Sequence, residues 1–112
     1  METKICFILL GSNSCRIKNT VMDEADFTSA LSNDFMPLGF ERMVSKYDST
    51  TICLTDKNSI ECLRHFDTSV LGVHADFYVF VEQISWSTAE VVIKRTYEFD
   101  TVELINPYTI EL

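Results

Sequence analysis

The chain is poor in the residues that loosen a backbone, with three Gly and two Pro among 112 residues. It also lacks any apolar run near the ~20 residues a membrane helix needs. Its longest early run, Ile5 to Leu10, is six residues long and has neither a basic segment before it nor a small-residue cleavage site after it. No secretory leader is therefore expected. Basic residues are scarce too, 9 Lys and Arg against 17 Asp and Glu, for a net charge of −8. A polyanion is repelled at long range by such a chain, which excludes direct nucleic-acid binding and docking on an anionic membrane.

What is present points to a packed core. Apolar residues make up 46% of the chain and aromatics 12%, so the composition is not that of a disordered segment. Residues 1–112 read as a single globular domain. The four cysteines (Cys6, Cys15, Cys53 and Cys62) do not by themselves define a redox compartment. The chain reads as cytoplasmic, with reduced thiols, and Cys6 and Cys53 read as small core residues within apolar strands.

Residues 3–10 have the unbroken apolar character of a strand buried on both faces. A polar loop is expected from there to about Asn19. Acids at Asp23, Glu24 and Asp26 open a helix, with Phe27, Ala30, Leu31 and Phe35 on its inner face and Pro37 and Gly39 ending it. Two short strands are expected at 40–47 and 50–55. A second helix follows, with Asn58 as its cap and Glu61 completing a capping box. The run from Asp76 to Val81 suits a central strand, and a turn is expected at 85–88. Val91, Ile93, Tyr97 and Phe99 then alternate with polar residues, giving one wet face. A bulge or turn is expected at Thr101. The order predicts an α+β ferredoxin-like βαββαβ sandwich: two helices on one face of a mainly antiparallel sheet, with an added C-terminal strand or hairpin.

Four groups of residues carry candidate chemistry. Gly11, Ser12, Asn13 and Arg16 end the first apolar run in a turn that suits an anion loop. Cys62 and His65 share a helix face, with His74 beyond, but a structural zinc site needs four ligands, usually in two closely spaced pairs. No metal site and no cofactor is assigned. Cys15 beside Arg16 could be an activated thiol, yet no His lies near it in sequence, and no catalytic set is complete. The chain therefore reads as a non-enzyme. The fourth group is acidic. From Asp76 onward the chain carries five of its eight net negative charges, and Glu90, Glu98 and Asp100 share a strand face.

Leu10-Gly11-Ser12-Asn13 resembles the first-strand motif of pterin pyrophosphokinases. Arg95-Thr96-Tyr97-Glu98-Phe99-Asp100 is similar to that family's Arg-Thr and alternating acidic pair. The resemblance implies a ferredoxin-like fold and nucleotide- and Mg²⁺-dependent phosphoryl transfer, with Glu98 and Asp100 as metal ligands. Val79 stands where that family carries its pterin-reading Asn.

The main expectation is different: a small acidic protein-binding module, of the inhibitor or immunity type that phages carry against host defence, covering a basic site on a protein partner. Its contacts would be Glu90, Glu98, Asp100 and Glu103, with Tyr97 or Trp86 as aromatic anchor. An edge strand that ends the chain offers a second route, pairing with another copy as a homodimer.

Overall fold

Nine residues from Glu2 to Leu10 form strand β1, and its side chains need cover on both sides. Ile5 and Phe7 are buried on one face, Cys6, Ile8 and Leu10 on the other. Such a strand belongs in the middle of a sheet, and in the computed structural model, which describes residues 2–32, 49–96 and 102–112, it lies there. The remaining elements are β2 (Cys15–Asp23), α1 (Glu24–Ser32), β3 (Ser49–Leu54), α2 (Lys57–Arg64), a 3₁₀ turn (Ser69–Leu71), β4 (Phe77–Gln83), β5 (Thr88–Thr96) and β6 (Val102–Glu111). Among the described residues the strands form one six-stranded sheet, ordered β3-β2-β1-β4-β5-β6. The β1/β4 pair is parallel and the other pairs are antiparallel.

The chain is α+β with a mainly antiparallel sheet, as expected, but its connections differ from the ferredoxin-like plan. No helix separates β1 from β2; they are a hairpin joined by residues 11–14, with Leu10 opposite Cys15. The polar loop expected up to Asn19 is therefore mostly strand. Ile17 and Met22 are buried there on opposite faces, and the intervening Lys18 and Asn19 hid the pattern. The two helices also do not share a face. Phe27 of α1 packs with Ile5, Phe7 and Phe77 on one side, its ring 4.8 Å from that of Phe77. Ile60 and Leu63 of α2 pack with Cys6, Ile8 and Phe80 on the other. Each fully buried side chain of this size stabilises by about 2 kcal/mol, and the sheet is covered from both sides.

Smaller corrections have equally local causes. Asp56, not Asn58, caps α2, accepting N–H bonds from Asn58 and Ser59. The Ser59 hydroxyl also donates to it at 2.7 Å. That hydroxyl bond is the main cause of a carboxyl held below its usual range, with the Asn58 amide next. Cys6 is buried, but Cys53 is exposed, on β3 at one end of the sheet order and opposite Arg16. Val91 and Ile93 are buried on the apolar face expected of β5, and Val92, on the face expected to be wet, is buried as well. The β5–β6 register shifts between Val91 and Ile93, while Thr101 lies outside the described residues. So do Phe35, Pro37, Gly39 and the strand expected at 40–47. β6 is the added C-terminal strand and ends the sheet order. Among the described residues no helix is long and apolar enough to cross a membrane.

Candidate functional site

β1 and β4 run side by side in the same direction, and the chain leaves their carboxyl ends in opposite directions. β1 turns back into β2 through Gly11–Ser14, and β4 turns into β5 through residues 84–87. Diverging exits at the ends of parallel strands leave a crevice, the usual ligand position in open α/β sheets. Here the crevice measures about 740 Å³ and is lined by Leu9, Leu10 and Ile84, with Gly11, Ser12, Ser14, Arg16, Arg64, Glu82, Gln83 and Ser85 supplying the polar surface.

Arg64, in the last turn of α2, organises it. One terminal nitrogen donates to the carbonyls of Gly11 (2.5 Å) and Ser12 (3.1 Å). Its Nε lies 3.7 Å from Glu82, and its other terminal nitrogen lies 3.8 Å from Glu61. One guanidinium thus ties helix, turn and β4 together. The turn closes on itself as well, with the Gly11 N–H donating to the Ser14 carbonyl at 2.8 Å. Glu82 sits directly opposite Glu90 in the β4/β5 ladder. Like charges at such a pair repel, and Arg64 offsets part of that cost.

The hairpin tip beside the crevice is rigid. The Ser85 and Thr88 hydroxyls are 2.6 Å apart, and the amides of Ser87 and Thr88 both donate to Ser85 Oγ. The Leu112 N–H donates to the Ser87 carbonyl, tying the last residue to the tip. On this fixed turn Trp86 is 89% exposed, beside an exposed Ile84.

The structure thus brings Gly11, Ser12 and Arg16 into one crevice and leaves Asn13 exposed in the turn. Trp86 is at the tip and Glu90 is exposed on β5. Glu103 lies opposite Arg95 in the β5/β6 register. Tyr97, Glu98 and Asp100 lie outside the described residues. Sequence reasoning missed Arg64 and Glu82. Arg64 reaches a turn 53 positions away in the chain, and no local spacing encodes that. Burial pushes the Cys15 thiol up to about 11, with nearby Cys53 adding and Arg64 opposing, which is the reverse of an activated nucleophile. His65 pairs with Glu61 at 3.1 Å. Among the described residues no three His, Cys, Asp or Glu side chains gather where they could hold a metal ion.

Fold and site together define an α+β protein with a mixed sheet and a polar crevice at its one parallel junction among the described residues. Comparison with protein-family models, curated proteins and solved structures gives no match, so function is argued from the chemistry of this surface.

Proposed function

We propose that the chain is a small protein-binding module that docks through the β4–β5 hairpin end of its sheet onto a basic surface of a protein partner, covering that surface as an inhibitor does. The observation that carries this reading is Trp86, 89% exposed on a turn locked by three hydrogen bonds to the Ser85 hydroxyl and by the Leu112 N–H on the Ser87 carbonyl. A large apolar ring held in water on a rigid support is an anchor whose ordering cost has already been met. Acids support it: Glu90 is exposed on the next strand, and a chain of net charge −8 steers towards a positive partner.

The test is capture from the native host's lysate with wild type and Trp86→Ala in parallel, followed by calorimetry on the purified partner. Trp86→Ala is expected to bind about 30-fold more weakly, with its melting temperature unchanged because the residue is 89% exposed. Equal affinity in the two proteins would overturn the reading.

A further inference from the structure

The crevice is less acidic than the chain as a whole. Its lining carries two guanidinium groups, Arg16 and Arg64, against one carboxylate, Glu82, with Glu61 of α2 also 3.8 Å from Arg64, on a chain whose net charge is −8. Arg64 is oriented by its bonds to the Gly11 and Ser12 carbonyls, which use one terminal nitrogen. Its Nε and second terminal nitrogen meet carboxylates only at 3.7 and 3.8 Å, beyond hydrogen-bonding distance. Those donors are held in place at the edge of the crevice. Apolar walls with a few fixed polar groups, in a volume of about 740 Å³, match the make-up and size of small-molecule sites.

We propose that this crevice binds a small molecule bearing a carboxylate or phosphate group, the oxyanion being held between Arg16 and Arg64 and the apolar part of the ligand lying against Leu10 and Ile84. Guanidinium groups recognise both oxyanions by the same forked hydrogen bonding. The glutamate discriminates by charge: Glu82 penalises polyanions and leaves a singly or doubly charged ligand favoured. Nothing in this site depends on the Trp86 surface, since Trp86 does not line the crevice, so the two proposals stand or fall separately.

The experiment follows backbone amide resonances of the whole chain during titration with inorganic phosphate and, separately, with acetate, at constant ionic strength against a chloride control. Saturable shifts of Gly11, Ser12, Ser14 and Ser85 are expected with one of the two anions, and whichever saturates names the oxyanion. Arg16→Gln is expected to weaken that binding about tenfold, and Trp86→Ala to leave it unchanged. Ile84 is 57% exposed, so Ile84→Asp keeps the fold and gives a second variant in which binding should be lost by repulsion. Shifts that never saturate, or that chloride reproduces, would mean an adventitious ion only and overturn the proposal. So would wild-type affinity in both Arg16→Gln and Ile84→Asp.

Discussion

A Cβ on Gly11 would lie 3.0 Å from the carbonyl oxygen of Ser14, the same oxygen that accepts the Gly11 N–H. Backbone cannot retreat from that contact without opening the turn. Gly11→Ala is therefore expected to cost about 1 kcal/mol, read as a lower urea midpoint with an unchanged slope. The thiols divide just as sharply. Burial pushes Cys6 up to about 12, with Cys15 adding, and Cys15 up to about 11. Both are protonated and shielded in the folded protein, so a thiol reagent at mildly alkaline pH should label exposed Cys53 first, and Cys6 and Cys15 only on unfolding. The linked stability is fully present below the ordinary thiol value of 9.0 and is lost as pH rises from there towards 11 and 12. Melting temperatures measured across that range check the sign, and a rise would contradict the burial.

At the scale of elements, the end of α2 is the least ordinary feature. The Phe66 N–H donates to the Leu63 carbonyl and the Asp67 N–H to the Cys62 carbonyl, the paired bonds of a Schellman cap. The residue in the left-handed position is normally glycine, but here it is Phe66, with φ 60°. That conformation costs an L-residue about 1 kcal/mol. It is offset by the ring, which meets Phe80 edge-on at 5.2 Å, and by Lys94, whose ammonium donates to the Phe66 carbonyl. Burial lowers the Lys94 pKa, and Asp67 opposes that shift. Phe66→Ala loses the ring and keeps the strain, whereas Phe66→Gly loses the ring and relieves it. Glycine should therefore be the more stable of the two variants by about 1 kcal/mol, with both below wild type in urea unfolding. If alanine equals glycine, the left-handed cap does not form. The same elements show where the sequence was legible. β1 and β4 announced themselves through unbroken apolar runs, and α2 through Ile60, Leu63 and a capping signal at its start. β2 did not, because Lys18 and Asn19 interrupt its apolar alternation. The Arg64 crevice was illegible for a different reason: the parallel β1/β4 junction that creates it is a long-range pairing, and no local spacing encodes one.

For the whole molecule, the distribution of charge separates what serves the fold from what serves recognition. Glu82 and Glu90 are directly opposed in the ladder, an arrangement that weakens a sheet, and Arg64 approaches Glu82 only at 3.7 Å with both groups partly in water. A partly exposed pair of that kind contributes well under about 1 kcal/mol. Folding alone would be better served by a cation at position 90. Glu90→Lys replaces the repulsion with an attractive cross-strand pair and reduces the net charge from −8 to −6. It should raise stability by about 0.5 kcal/mol, seen as a higher urea midpoint. If the acids are kept for a basic partner, the same change should slow association with it, and the loss should shrink as salt is added because the attraction it removes is screened. A variant that folds better and binds more slowly is the result expected of a surface shaped by recognition. A Glu90→Lys protein less stable than wild type would instead place Glu90 in the service of the sheet and leave Trp86 to carry the docking surface alone.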